Sequence, residues 1–153
     1  MKNIKTSLFL ILSVVAFAFA SCKPKDNPAA PTPSLADLIK GKTYRLKIPG
    51  GALNGAADES SKFSGFTIAF NGAGTAATFN CNCDATTGGS IVNAAVNYSA
   101  STNTITFTGT MPTGWPLSIT NVNAGTTGAT LSFNATVGIP GKSNNYTFNM
   151  VTP

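Results

Sequence analysis

Hydrophobic and polar residues alternate along most of the chain from residue 43 onward. In residues 43–48, for example, tyrosine, leucine and isoleucine alternate with threonine, arginine and lysine. An apolar residue at every second position is typical of a β-strand that buries one face and exposes the other. The sequence predicts eight such strands. Their inward-facing positions are Tyr44, Leu46 and Ile48; Phe66, Ile68 and Phe70; Ala77 and Phe79; Val92, Ala94, Val96 and Tyr98; Ile105 and Phe107; Leu117 and Ile119; Leu131, Phe133 and Ala135; and Tyr146, Phe148 and Met150.

Glycine and asparagine mark several reversals between these segments, as in residues 71–74 (Asn-Gly-Ala-Gly). Short strands joined by such turns favour antiparallel neighbours. We therefore predict an all-β fold, an eight-stranded antiparallel meander. It can close into an up-and-down barrel, which has no exposed edges, or stack as a two-sheet β-sandwich. The pattern alone leaves both arrangements open.

A short helix is predicted just before the first strand. Ser34 is a residue type that caps helix N-termini, and Asp37 lies in the first turn, where a negative charge is favourable. Gly41 is expected to end the helix after a few residues.

The N-terminal segment has the features of a secretory signal. Two lysines precede an apolar run at residues 8–19, and Ala20 and Ser21 lie directly before Cys22. The run is shorter than the roughly 20 residues that span a bilayer as a helix. The small residues before the cysteine resemble the lipobox of bacterial lipoproteins. This resemblance implies cleavage after residue 21 and acylation of Cys22, which would anchor the protein to a membrane.

The chain is therefore divided into three predicted segments. Residues 1–21 form the signal peptide, residues 22–34 the lipidated cysteine and a Pro-rich tether, and residues 35–153 the β domain. At about 3.1 Å per residue in a polyproline II conformation, the part of the tether after the cysteine would span roughly 37 Å. Lipoproteins kept at the inner membrane tend to carry Asp after the lipidated Cys, whereas Lys23 follows here. We expect an outer-membrane protein, with the periplasmic or cell-surface side left open.

Composition and charge exclude several classes of function. The chain has no histidine, so it lacks a Ser-His-Asp triad and a His-ligated zinc site. Loss of the signal peptide removes two lysines and lowers the net charge from +5 to +3. Residues 63–153 carry only two charged side chains, Asp84 and Lys142. A nucleic-acid partner would need a dense cationic surface, so none is expected.

Acid–base catalysis has little support in the sequence. Asp58 and Glu59 are adjacent in a stretch rich in small residues, where we expect a solvated loop. Catalytic carboxylates usually work as two separately tuned groups that face a cleft. We therefore expect no enzyme activity, no cofactor and no metal site.

Cys81 and Cys83 form the one chemical motif of the predicted β domain. In an oxidising compartment, two nearby thiols are interpreted first as a disulfide. Residues two apart in an extended strand have Cβ atoms roughly 6.6 Å apart, which is too far for a disulfide, so a tight turn at Asn82 is expected. A redox switch or a thiolate copper site is the alternative interpretation.

Residues 38–46 (Leu-Ile-Lys-Gly-Lys-Thr-Tyr-Arg-Leu) run from a helix through glycine into a strand. This opening resembles that of lipocalin-like domains, as do the hairpin at residues 66–79 and the segment at residues 117–121, in the manner of lipocalin-like lipoproteins of Gram-negative bacteria. The resemblance implies an eight-stranded barrel. It also implies that Tyr44, at a position usually held by Trp in that family, packs across the closed end.

Two classes of function follow. The leading hypothesis is a membrane-anchored, non-catalytic module that binds a small apolar ligand in the barrel, with Tyr44 and Trp115 as candidate ligand-binding residues. Trp115 lies in a Pro/Gly loop and is interpreted as an exposed stacking aromatic, a lid, or a residue packed against the core end. The alternative is an envelope structural or adhesive protein with no small ligand, which uses a nearly uncharged surface. The sequence leaves the oligomeric state open.

A row of threonines alternates along residues 102–110, with Ile105 and Phe107 between them. Flat threonine arrays can bind ice or carbohydrate surfaces. We interpret this row instead as the exposed face of a strand, because threonine has high β propensity and a single strand does not make an array.

Overall fold

The computed structural model describes residues 30–153. The predicted signal peptide, Cys22 and most of the tether lie outside the described residues, so the interpretations made for them stay predictions. Within the described range, no helix is both long enough and apolar enough to cross a membrane.

The described residues contain one α-helix, ten strands and two short 3-10 helices. In chain order these are α1 (Leu35–Ile39), β1 (Thr43–Leu46), β2 (Ala52–Asn54), β3 (Ala57–Asp58), β4 (Phe63–Phe70), β5 (Ala76–Cys83), β6 (Ile91–Ala100), β7 (Ile105–Thr108), β8 (Ser118–Asn123), β9 (Thr130–Val137) and β10 (Asn144–Val151), with the 3-10 helices at Ser60–Lys62 and Ala85–Thr87. The eight predicted strands correspond to β1 and to β4 through β10. The short strands β2 and β3 were not predicted.

Eight of the strands form a closed antiparallel barrel. Each strand from β4 to β9 pairs with the next, and β1 pairs with both β4 and β10. Tyr44 of β1 lies opposite Ile68 of β4, and Leu46 lies opposite Met150 of β10. The predicted eight-stranded barrel is confirmed, and it is consistent with a lipocalin-like barrel. The β-sandwich alternative is wrong, because the continuous ring of paired strands leaves no division into two sheets.

The strand β2 continues along β10 where β1 stops. The Lys47 amide donates a hydrogen bond to the carbonyl of Asn149 (3.0 Å), and the Asn149 amide donates to the carbonyl of Gly51 (2.7 Å). Residues 48–50 therefore loop out of what would otherwise be one strand. A side chain at Gly51 would overlap the carbonyl oxygen of Lys47, so this position requires glycine. The strand β3 then folds back on β2.

Three residues predicted to face the interior are exposed instead. Ile48 is 66% exposed because it lies in the looped-out segment, and Leu117 is 57% exposed because it precedes the first residue of β8. Val92 is 78% exposed. It lies beside a bulge at Asn93, whose positive φ of 46° marks the extra residue that shifts the alternation of β6 against β5.

The helix α1 packs over one end of the barrel, which we call the helix end. Ser34 and Asp37 cap each other reciprocally: the Asp37 amide donates to Ser34 Oγ (3.2 Å) and the Ser34 amide donates to Asp37 Oδ2 (3.1 Å). This confirms the predicted cap. The Tyr44 hydroxyl donates a 2.9 Å hydrogen bond to the carbonyl of Gly128, in the connection between β8 and β9. Tyr44 is fully buried, and its burial raises the pKa of the phenol to about 12.

We expect Tyr44→Phe to lower the free energy of unfolding by about 1–3 kcal/mol, because the Gly128 carbonyl loses its buried donor. Urea unfolding at neutral pH measures this change. Thr106→Val, on the exposed face of β7, is the control and should change it by less than about 0.5 kcal/mol.

The pH dependence of stability in the wild type and in Tyr44→Phe tests the raised pKa of Tyr44. Between pH 10 and about 12 the unfolded chain releases the Tyr44 proton while the native protein keeps it, so stability falls as pH rises. The Tyr44→Phe variant should lose less stability over this range. An unfolding midpoint unaffected by the substitution at either pH would contradict this role.

Candidate functional site

Aromatic side chains fill the barrel interior. The ring of Phe148 has its centroid 5.0 Å from that of Phe63 and 5.0 Å from that of Phe133, distances typical of rings in contact. The interior around Phe148 is therefore a packed core. The buried aromatic residues are Tyr44, Phe63, Phe66, Phe70, Phe79, Tyr98, Phe107, Trp115, Phe133, Tyr146 and Phe148.

Trp115 plugs the end of the barrel opposite α1, which we call the loop end. Its side chain comes from the connection between β7 and β8 and is only 7% exposed. Its ring centroid lies 4.7 Å from Phe66 and 5.5 Å from Phe148. Of the three interpretations offered for Trp115, the structure places it in the core. The indole Nε1 is buried and has no hydrogen-bond partner in the described part of the chain.

The connections β5–β6, β7–β8 and β9–β10 cover the loop end, and backbone hydrogen bonds join them. The Gly138 amide donates to the carbonyl of Gly114 (3.0 Å), and the Ile139 amide donates to the carbonyl of Thr86 (3.3 Å). Gly88 has a φ of +110°, and a side chain there would overlap the carbonyl of Thr113. These close approaches hold the connection that carries Trp115 against its neighbours.

A polar cluster beside the plug contains the one ion pair of the described residues. The Lys62 ammonium lies 2.8 Å from Glu59 Oε2, and the Tyr146 hydroxyl donates a 2.7 Å hydrogen bond to the same oxygen. Both contacts lower the pKa of Glu59, and the contact with Lys62 has the larger effect. Burial, together with the bond to Glu59, raises the pKa of Tyr146. Glu59 therefore supplies the hydrogen-bond acceptor that the buried Tyr146 hydroxyl needs.

Asp58 has different hydrogen-bond partners from Glu59. Its carboxylate accepts hydrogen bonds from the side chain and amide of Ser60 and from the Gly50 amide (2.9 Å), and these bonds lower its pKa. The Ser60 hydroxyl in turn accepts from the amides of Gly51 (2.9 Å) and Ala52 (3.0 Å). The two carboxylates do not share a cleft. Asp58 holds the looped-out segment through the Gly50 amide, and Glu59 bonds Tyr146 of β10.

The structure joins Cys81 and Cys83 in a disulfide on the inner face of β5. The two Cα atoms are 5.1 Å apart, shorter than an extended strand allows, and Asn82 remains part of the strand. The prediction of a tight turn at Asn82 is therefore wrong. The strand is contracted between the two cysteines instead. The neighbouring strands β4 and β6 each carry an extra residue nearby. The two side chains are 4% and 7% exposed.

A groove opens on the outside of the barrel between β8 and β9. The pairing of β8 with β9 stops at Thr120 opposite Asn134, although β8 begins two residues earlier, at Ser118, which pairs with β7. The groove has a volume of about 390 Å³. We call it the β8–β10 groove, and its lining residues are Pro116, Ser118, Thr120, Asn134, Ala135, Thr136, Asn145, Tyr146 and Thr147.

Polar pairs cross the floor of this groove from β9 to β10. The Thr147 hydroxyl donates to Asn134 Oδ1 (3.1 Å), and the Thr136 hydroxyl donates to Asn145 Oδ1. The threonine row of β7 belongs to the same outer surface. Thr108 lies opposite Asn97, and Thr106 opposite Ser99 on one side and Ser118 on the other. The residues opposite the row are asparagine and serine, so the outer face of β7 is polar and its neighbours do not extend the threonines into an array.

Sequence reasoning also missed Phe63 and the partner of Glu59. Phe63 is fully buried, but it stands three residues before Phe66 and so breaks the alternation. The break is due to an extra residue of β4 near Gly65, whose φ is +66°. Glu59 and Tyr146 are 87 positions apart, and no local pattern connects them. A glycine inside an apolar alternation was the one signal available.

We expect Glu59→Gln to reduce the free energy of unfolding at pH 7. The substitution removes the negative charge that pairs with Lys62 and accepts the hydrogen bond of Tyr146. The pKa of Glu59 is lowered on folding, so its contribution is present above the unfolded value of about 4.3 and lost as pH falls through the folded value. Urea unfolding should therefore show a difference between wild type and variant that shrinks from pH 7 to pH 3. Asp26→Asn, in the predicted tether, is the control for charge. A difference that stays constant with pH would contradict this assignment.

Comparison of the chain with protein-family models, with curated proteins and with solved structures gave no match. The fold assignment therefore rests on the strand pairing, and the relation to lipocalin-like lipoproteins stays a proposal.

Proposed function

We propose that this protein is a membrane-anchored, non-catalytic lipoprotein of the outer membrane whose β domain binds its partner through the outer surface of the barrel. The observation that carries this proposal is the interior occupied by aromatic rings, with Trp115 packed on Phe66 and Phe148 at the loop end. Eight strands enclose a space that either holds one small ligand or is filled by side chains. Here the side chains take that space.

The anchor is supported by the sequence around Cys22. A charged start, an apolar run and small residues precede the cysteine, and the tether that follows is rich in proline. Several acyl chains give durable attachment, whereas one alone is marginal. The relation to lipocalin-like lipoproteins has the support of the barrel and of Tyr44, whose buried ring lies at the helix end.

The non-catalytic assignment has its own support. The carboxylates of Asp37, Asp58, Glu59 and Asp84 all have lowered pKa values, because neighbouring side chains and amides donate hydrogen bonds to them. Groups held as carboxylates in this way are poor general acids near neutral pH. Their bonds join loops and caps.

A second candidate function is the binding of a small apolar ligand within the barrel. The unpartnered Nε1 of Trp115 favours it, because a buried N–H without an acceptor is a costly arrangement that displacement of the ring would relieve. Such a ligand must replace the contacts of a buried tryptophan, worth about 3–5 kcal/mol when the ring is truncated. We therefore rank this function second.

Intact mass spectrometry of the full-length protein, purified from its own envelope in detergent, tests the proposal. We expect a chain that begins at Cys22, carries acyl chains, and releases no bound small molecule when sprayed under native conditions. Cys22→Ala is the matched control and should lose both the acyl mass and the membrane attachment.

Two outcomes would contradict the proposal separately. An apolar molecule that stays with the native protein and leaves on unfolding would move the function to the barrel interior. Acyl mass that persists in Cys22→Ala, or an unmodified wild-type chain, would refute the anchor.

A further inference from the structure

We propose that the β8–β10 groove binds a neutral glycan, through side-chain amides and hydroxyls that carry no charge. This inference rests on the proposed function, because it names the partner that the outer surface of the barrel would recognise.

The groove lies on the outer surface of the barrel, where residue pairing between β8 and β9 stops. Ser118 pairs with Thr106 of β7, while on the other side of the groove Thr136 pairs with Asn145 of β10. Within residues 30–153, Ser118 and Thr136 are not paired with each other. The resulting volume of about 390 Å³ lies within the roughly 300–1,000 Å³ of small-molecule sites.

Each of the two amide groups on the groove floor forms a hydrogen bond with a threonine hydroxyl. The oxygens of Asn134 and Asn145 accept hydrogen bonds from Thr147 and Thr136, respectively. Their Nδ2 groups donate to no acceptor in the described part of the chain, so each presents free N–H donors beside a hydroxyl. A sugar hydroxyl both donates and accepts, and therefore complements such a donor–hydroxyl pair.

The absence of charge selects the class of partner. None of the groove's lining residues is ionisable except the buried Tyr146, whose hydroxyl is already bonded to Glu59. A nucleic acid or an acidic polysaccharide would require cations to balance its own charges, and the groove offers none. A neutral polymer loses no ionic hydration on entering it.

The groove also lacks the groups that dominate protein–protein interfaces. Such interfaces draw most of their energy from buried tryptophan, tyrosine and arginine anchors. The large hydrophobic residues exposed on the described chain are Ile48, Val92 and Leu117. Only Leu117 adjoins the groove, and no aromatic ring is exposed with it. A protein partner is therefore less well matched than a hydroxyl-rich chain.

Hydrogen bonds to neutral hydroxyls each contribute modestly to affinity, so a single groove should bind weakly. A repeating polysaccharide can engage many anchored copies at once, and each added contact then acts at high effective concentration. Weak single-site binding to a repeating polymer is thus the behaviour that we expect.

Affinity electrophoresis of the full-length protein in detergent, in native gels with dissolved polymers, tests the inference. The probes are dextran, mannan and xyloglucan as neutral polysaccharides, polygalacturonate as an acidic one, and gelatin as a soluble polypeptide. We expect retardation by at least one neutral polysaccharide and by neither of the other polymers.

The decisive comparison is Asn145→Asp against Asn97→Asp. Both asparagines are exposed on the outer face and both variants change the charge equally, but Asn97 lies on β6, outside the groove. An aspartate at position 145 can still accept from Thr136 yet donates nothing, so the fold is retained. We expect Asn145→Asp to weaken retardation at least fivefold and Asn97→Asp to leave it unchanged. Circular dichroism checks that both variants fold.

Three results would overturn the inference: no retardation by any neutral polysaccharide, equal retardation of both variants, or retardation by gelatin or polygalacturonate alone. Gelatin alone would assign the groove to an extended polypeptide. The intact-mass experiment separates this failure from that of the proposed function. A ligand-free, acylated chain that binds no glycan would refute only the glycan, whereas a bound apolar molecule would refute the outer-surface function itself.

Discussion

The pairing of β1 with β10 joins the first strand of the domain to the last, through Arg45 opposite Val151 and Leu46 opposite Met150. Without this contact the sheet would have two free edges, and its inward side chains would face an open surface. With it, alternate residues of every strand are directed to one enclosed axis, and eight strands leave room there for little more than side chains. The enclosed aromatic interior is a consequence of this closure.

A filled interior leaves the outside of the barrel as the surface on which the proposed partner would bind. Trp115 occupies the loop end, and α1 covers the helix end with Ile39 fully buried. The charged residues of the described chain are concentrated before residue 63, where Asp58 and Glu59 hold local structure. What remains exposed on β6 through β10 is mostly serine, threonine and asparagine, a surface without charge.

Strict alternation made the barrel strands predictable, since a polar and an apolar face are all that a strand in a closed sheet requires. The prediction was wrong where the backbone departs from regular pairing: at Ile48 in the looped-out segment and at Val92 beside a bulge. The β8–β10 groove could not be predicted for a related reason. It depends on where the pairing between Thr120 and Asn134 stops, and that is set by packing of the whole ring rather than by any local pattern.

Trp115 is the single tryptophan of the chain, so its fluorescence reports directly on the filled interior. The full-length protein should emit at shorter wavelength than its urea-unfolded form, and acrylamide should quench the native emission far less than the unfolded emission, because the ring is only 7% exposed. Emission and quenching that are the same in the native and unfolded protein would contradict a barrel closed by this residue.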